Sequence, residues 1–297
     1  MLFSVIIPTY NRAALLREAL ESVFAQTLTD YEVIVVDDGS TDETATVLHD
    51  YPKVKVLAQS NGGPGAGRNA GARQAQGDYL AFFDSDDLWF PWTLESFAEL
   101  IERQDRPAIL GARLMEFSDR DELKAVQKTP PAAEVFPDYF ASCSRGYFVG
   151  AGMSVLRRDV FLSTGGYTDQ PINSEDHDLI LRLGNAAGFA QITAPVTLGW
   201  RRHAGSATTN LPRSVAGLWY LLEQERRGAY PGGAGRRWQR REIVTRHARP
   251  ISLVCLREKE TAQGWHLYRA TFGWHLRLGR WKYLAGFPMK AWFGQTR

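Results

Sequence analysis

Along the first 110 residues, short apolar runs alternate with stretches whose apolar positions recur at helical spacing. The runs 3–7, 32–36, 54–58 and 79–83 are rich in Val, Ile and Phe and apolar almost throughout. Such runs predict parallel strands covered on both faces, because a half-solvated strand would alternate with polar residues. Between them, residues 13–24, 44–51 and 65–76 predict helices. The order βαβαβαβ predicts an open α/β sheet with right-handed crossovers. Ligands in such sheets bind at the carboxyl ends of the strands.

Residues 106–210 are more mixed. A strand pair around 109–117 precedes a Pro-containing loop at 129–137, then an apolar stretch at 146–156 and a turn at Gly165 and Gly166. A helix is predicted over 174–187 and a strand near 197–201. Beyond residue 210 the patterning is helical, over 215–227 and 236–249, with a flexible segment expected at 230–235 between them. The expected architecture is an α/β unit over 1–210 followed by a helical region over 211–297.

Charge sharpens that division. Residues 1–210 hold 18 Lys/Arg against 28 Asp/Glu, whereas 211–297 hold 17 against 5. From Gly264 onward there are six Lys/Arg and no acids, interleaved with Trp265, Phe272, Trp274, Trp281, Phe287, Trp292 and Phe293. Aromatics beside basic residues suit an anionic membrane surface, and equally a helical subdomain or dimer contact that packs its aromatics inward. No recognised nucleic-acid module accompanies the segment, so nucleic acid is not an expected partner. No apolar run approaches the ~20 residues that span a bilayer. The N-terminal MLFSVIIPTYNR reads as a strand and not as a leader. Two distant cysteines, Cys143 and Cys255, fit a reducing compartment. The expected location is cytoplasmic, with a peripheral site at the inner face of the membrane compatible with the basic region.

Three polar clusters follow strands: Pro8-Thr9-Tyr10-Asn11-Arg12, Asp37 to Asp42, and Asp84-Ser85-Asp86-Asp87. A parallel sheet would bring all three to one edge. Ser40, Thr41 and Asp42 suit helix capping, but capping does not explain the crowded acids. Like carboxylates repel unless a cation or a shared proton offsets them. Asp84 and Asp86, two residues apart beyond a buried strand, can both reach one hard divalent ion such as Mg2+ or Mn2+. The Gly-rich stretch 61–71 opens a helix and allows close backbone approach to an anion, although it matches neither the dinucleotide fingerprint nor a P-loop. Arg68 on that helix suits phosphates or a base, and equally an ion pair. An i,i+4 ion pair is expected for Asp178 and Arg182.

VIIPTYNR, VIVVDDGSTDET, the 61–71 segment, YLAFFDSDD and SEDHDLILRL occur in this order. Together they resemble the inverting family 2 glycosyltransferases of GT-A fold, over roughly residues 1–205. The resemblance implies a nucleotide-binding half at 1–110 and an acceptor-binding half at 111–210. It implies that Pro8, Thr9, Tyr10, Arg12, Asp37, Asp38, Gly63, Arg68, Asp84 and Ser85 line the nucleotide-sugar site. It also implies that Asp84, Asp86 and His203 serve a Mn2+ or Mg2+ ion, and that Asp176, beside Glu175, is the catalytic base. A UDP-sugar is the favoured donor, and a glycan or lipid-linked molecule the acceptor. The Gln-x-x-Arg-Trp motif of processive members is absent, which implies a non-processive enzyme. Two alternatives stand beside this reading, a non-catalytic nucleotide-sugar or glycan-binding protein and a sugar nucleotidyltransferase. The second lacks its Gly-rich basic loop after the first strand.

Overall fold

The computed structural model describes residues 1–203 and 210–293. Four strands, β1 (Phe3–Thr9), β2 (Tyr31–Asp37), β3 (Val54–Ala58) and β4 (Tyr79–Phe82), pair in parallel in the order β3-β2-β1-β4. Alternate residues point to opposite faces of a strand, and here the alternation feeds two separate cores. Val5, Ile7, Val33 and Val35 pack with Leu16, Leu20, Val47 and Leu48 of α1 (Ala13–Phe24) and α2 (Thr44–His49). Ile6, Ile34, Val36 and Phe82 pack on the other face with Ala72 of α3 (Pro64–Gln74). Coverage on both faces explains why the strands read as unbroken apolar runs. The exception is β3, the edge strand, where Val56 is exposed.

The second half departs from the sequence reading in several places. After β5 (Leu88–Trp89) and α4 (Thr93–Arg103) come β6 (Ile109–Gly111) and β7 (Leu114–Phe117), which join different sheets instead of pairing. Within the expected loop 129–137 lies β8 (Ala132–Phe136), an edge strand whose apolar residues stay largely outside the core. Then follow β9 (Ser154–Arg157), α5 (Arg158–Ser163), α6 (Glu175–Arg182), β10 (Phe189–Ala194) and β11 (Leu198–Arg201). The main sheet runs β3-β2-β1-β4-β9-β6-β10-β8, with β9 antiparallel to both neighbours, and a small sheet runs β5-β11-β7. Helix α6 stops at Arg182, short of 187, and Gly184 then packs directly against the Phe140 ring.

Helices α7 (Leu211–Arg227), α8 (Arg237–Arg257), α9 (Thr261–Arg277) and α10 (Trp281–Phe293) complete the described chain. Leu218, Leu222, Val244 and Ala248 belong to the same buried cluster as Ile6, Phe82 and Leu179, so these helices close the second face of the sheet. Pro250 lies inside α8, which continues past the expected end at 249. An interior proline costs roughly 3 kcal/mol, and the burial of Ala248, Ile251 and Cys255 around it offsets that cost. The segment 230–235 is an anchored turn, not a flexible one. Tyr230 is buried and donates to Asp178 at 3.0 Å, and Arg240 donates to the Pro231 and Gly233 carbonyls.

The C-terminal aromatics divide between two environments. Tyr268, Leu284 and Phe287 are buried together, whereas Trp281, Met289 and Trp292 are 63%, 59% and 79% exposed. Residues 294–297 of the basic segment lie outside the described residues. No described helix is long and apolar enough to cross a membrane. Cys143 and Cys255 are free thiols.

Candidate active site

The carboxyl ends of β1, β2 and β4 do converge. Asn11, held at positive φ, accepts from the Thr41 N–H at 2.7 Å, and its own N–H donates to Ser40 Oγ at 2.9 Å. Asp37 caps the same loop by accepting from the Ser40 N–H. Asp42 accepts from the Ala13 N–H and so ties this loop to the start of α1. Asp38 is buried and works on the Gly-rich segment. Its two oxygens accept from the Gly62 and Gly63 N–H groups at 2.9 and 2.8 Å, and from Gln59. Gly63 has φ +85°, which other residues adopt only with strain. Gly67 then lets α3 approach Pro8 closely, since a Cβ there would lie 3.2 Å from that ring. Thr9 is buried, with Oγ1 lacking a partner among the described residues, and Tyr10 is exposed.

The acidic run after β4 forms the floor. Carboxylate oxygens of Asp84, Asp86 and Asp87 lie within 4.8 Å of one another. Arg68 reaches down from α3, donating to Asp84 Oδ1 at 2.6 Å, with Glu175 Oε1 3.9 Å from its other nitrogen and the Tyr167 ring beneath it. Burial works against the Arg68 charge, but the surrounding acids more than restore it and the guanidinium stays protonated. Arg12 pairs with Asp86, and His203 Nε2 lies 2.9 Å from the same Asp86 oxygen. Ser85 is buried between the acids. Asp87, which the sequence reading left unassigned, accepts from the Arg201 N–H at 2.9 Å, while its Oδ2 is buried without a partner among the described residues. Burial, then the charges of Asp84 and Asp86, push its carboxyl well above the usual range. Arg201 also donates to the Asp86 carbonyl at 2.8 Å and to Glu18 at 2.6 Å. An all-oxygen donor set with one orphaned buried oxygen fits a hard divalent cation.

Opposite this floor, α6 begins with Glu175 and Asp176. Ser174 is buried at the cap position against Gly217 of α7, and its Oγ lies 3.0 Å from His247 Nε2. Asp176 Oδ1 is buried without a partner among the described residues. Burial, and then Glu175, push the Asp176 carboxyl up to about 7, against the pull of Arg68. Burial raises Glu175 as well. Asp178 and Arg182 form the expected i,i+4 pair at 2.8 Å. A cavity of about 510 Å³ opens beside Asp84 and Asp176 and extends to α8.

Gly152 lies between these groups. A Cβ there would sit 2.7 Å from Asp84 Oδ2 and 3.3 Å from Asp87 Oδ2. Gly152→Ala is therefore expected to displace Asp84 and weaken the affinity of this acidic floor for an added divalent cation about tenfold, in line with overpacking costs of roughly 1–3 kcal/mol. Calorimetric titration checks this, and unchanged affinity would show that Asp84 relaxes freely.

A parallel α/β half, an acidic run at the end of its fourth strand and a second carboxylate pair across a cavity are the features of a GT-A fold with a candidate active site. Residues 4–164 match the family described as Glycosyl transferase family 2, and the chain belongs to that family. An uncharacterized glycosyltransferase of Haemophilus influenzae is 28% identical over 222 residues, covering 72% of this chain and 74% of that protein. The poly(ribitol-phosphate) β-N-acetylglucosaminyltransferase TarS of Staphylococcus aureus is 40% identical over 117 residues, 37% of this chain and 20% of TarS. An uncharacterized glycosyltransferase of Nostoc is 42% identical over 110 residues, 35% of this chain, and the match spans about a third of that relative's length, 34%. A crystal structure of TarS with UDP-GlcNAc superposes with TM-score 0.63 at 20% identity, covering 94% of this chain and 92% of that one. The mannosyltransferase PcManGT of Pyrobaculum calidifontis, solved with GDP-Man and Mn2+, gives 0.55 at 17% identity, covering 98% and 87%. The chain thus carries a family 2 glycosyltransferase region on a GT-A fold.

Proposed function

We propose that the protein is a metal-dependent, inverting, non-processive glycosyltransferase that moves a sugar from a nucleotide diphosphate sugar, with UDP favoured, to an acceptor hydroxyl and releases the nucleotide diphosphate. The observation that carries this reading is the placement of Asp176, a carboxylate poised near neutrality, across a cavity from the acidic floor at Asp84, Asp86 and Asp87. Pro8, Thr9, Tyr10, Arg12, Asp37, Asp38, Gly63, Arg68, Asp84 and Ser85 are assigned to the nucleotide sugar. Asp84 and Asp86, with Asp87 beside them, would hold Mn2+ or Mg2+, and His203 supports Asp86. Such an ion offsets the negative charge that grows on the departing diphosphate. Asp176 takes the proton from the acceptor hydroxyl as it attacks the anomeric carbon, and a single displacement inverts the configuration. Arg68, between Asp84 and Glu175, offsets their mutual repulsion and orients Asp84 during that step. UDP-GlcNAc bound to TarS and GDP-Man with Mn2+ bound to PcManGT support a nucleotide-sugar donor and a divalent ion.

The division into a nucleotide half at 1–110, an acceptor half at 111–210 and a basic helical region at 211–297 belongs to the same reading. A glycan or lipid-linked acceptor is proposed, met at the cytoplasmic membrane face. Trp281, Met289 and Trp292 are exposed on α10 beside Lys282 and Lys290, the composition of an interfacial helix. Thermal stabilisation by UDP, dTDP, GDP and CDP, each with Mn2+ or with chelator, tests the donor assignment. One nucleotide is expected to stabilise the protein, and only with metal. Stabilisation by none of them would overturn the donor-site assignment and favour the alternative of a non-catalytic nucleotide-sugar or glycan-binding protein.

A further inference from the structure

The cavity beside Asp176 is closed on its far side by α8, which lies beyond the family-matched residues 4–164. Ile243, Arg246, His247 and Pro250 of that helix line it. From the near side across to this wall, the rings of Phe148, His177 and His247 form a continuous column. Centroids are 4.5 Å apart for the first pair and 3.7 Å for the second, with planes within 29° of parallel. Phe148 is 41% exposed at the end of this column, and Trp200 also lines the cavity.

Charge around the cavity is one-sided. Asp84, Asp87, Asp176 and Glu116 line it, and Arg246 is the one Lys or Arg among its described lining residues. That guanidinium is already engaged. It donates to the Cys143 carbonyl and lies 3.9 Å from Glu242. Burial holds both imidazoles of the column below their ordinary range, His247 at about 4, so the column is uncharged at neutral pH. Away from the metal-binding floor, the one cation among the described lining residues is thus engaged, whereas Asp176 and Glu116 disfavour an anion there.

We propose that this cavity is the acceptor subsite, that α8 supplies its selective wall, and that it takes a neutral pyranoside in preference to a phosphorylated or carboxylated sugar. A pyranose ring has an apolar C–H face that packs on an aromatic ring and hydroxyls at its rim. The Phe148–His177–His247 column offers the first surface, and Asp176 is placed to accept from a hydroxyl on the second. The inference rests on the glycosyltransferase reading and deepens it by assigning the acceptor class.

The test uses the full chain loaded with UDP and Mn2+, titrated with a panel of neutral methyl hexopyranosides and with hexose 6-phosphates. Ligand-observed NMR reads the binding. At least one pyranoside is expected to bind, and the hexose phosphates to bind about tenfold more weakly or not at all. Phe148→Ala should weaken the pyranoside about tenfold, the equivalent of about 1.4 kcal/mol, with the UDP-induced thermal shift intact. Ile243→Trp, which narrows the cavity from α8, provides a second variant, and the same thermal shift reports whether it folds. Tighter binding of the phosphates, binding of no pyranoside, or native affinity in Phe148→Ala would overturn the proposal. Failure of UDP and the other nucleotides to bind before any sugar is added would instead overturn the donor reading beneath it.

Discussion

Asp176→Asn is expected to lose turnover by about 10²–10⁴-fold, the usual contribution of a positioned general base, while making the protein more stable at neutral pH. The two effects share one cause. The folded-state carboxyl titrates at about 7 because burial and Glu175 disfavour its charge, whereas in the unfolded chain it titrates near the ordinary value of about 3.9. Between those values the folded protein holds a proton that the unfolded chain has released. Stability therefore falls as pH rises through that window and stays low above it. Asparagine does not ionise, so this slope disappears. After discounting for partial exposure, the gain above pH 7 is roughly 2 kcal/mol, or a few degrees in Tm. Melting curves at pH 4 and pH 8 check it, since the variant's advantage should be full at pH 8 and nearly gone at pH 4. A variant that melts lower at pH 8, or keeps more than a tenth of native turnover, would remove Asp176 from the role of base. In the native enzyme, kcat/KM should rise with pH through a midpoint between about 3.9 and about 7, because a cation held by Asp84 favours the ionised form.

Asp86→Ala should abolish metal-dependent nucleotide binding. Asp86 is the meeting point of Arg12 and His203, and its carbonyl holds Arg201. Removing its carboxylate leaves Asp84 and Asp87, of which Asp87 is pushed towards its protonated form by burial and by its acidic neighbours. A nucleotide at 100 times its Kd stabilises a protein by about 2.7 kcal/mol. That shift should appear with Mn2+ in the native protein and vanish in the variant, and transfer should fall about 10³-fold with it. Without ligand the variant should melt close to native, since relief of repulsion among the acids offsets loss of the Arg12 and His203 partners. Persistence of the Mn2+-dependent shift would falsify the assignment of Asp86 as a ligand.

The sequence by itself determined the parallel half of the fold and the address of the site. Unbroken apolar strands require cover on both faces, and parallel strands present all their carboxyl ends on one edge, so Thr9, Asp38 and Asp84 had to converge. Local periodicity likewise settled the Asp178–Arg182 pair, one helical turn apart. The tertiary structure decided what depends on partners distant in the chain. Strands β8 and β10 were not legible because pairing with each other, and of β10 with β6, defines them, not their own composition. Asp87 and Arg201 stood unassigned because their bond joins residues 114 positions apart. Nothing in the sequence places Arg68 between Asp84 and Glu175, or brings α8 to the far wall of the cavity beside Asp176. The titration of Asp176 likewise follows from burial that only the packed helices create. Even the basic, aromatic C-terminus kept two readings in sequence, because inward and outward aromatic faces share one helical period. Only packing put Phe287 inside and left Trp281 and Trp292 outside.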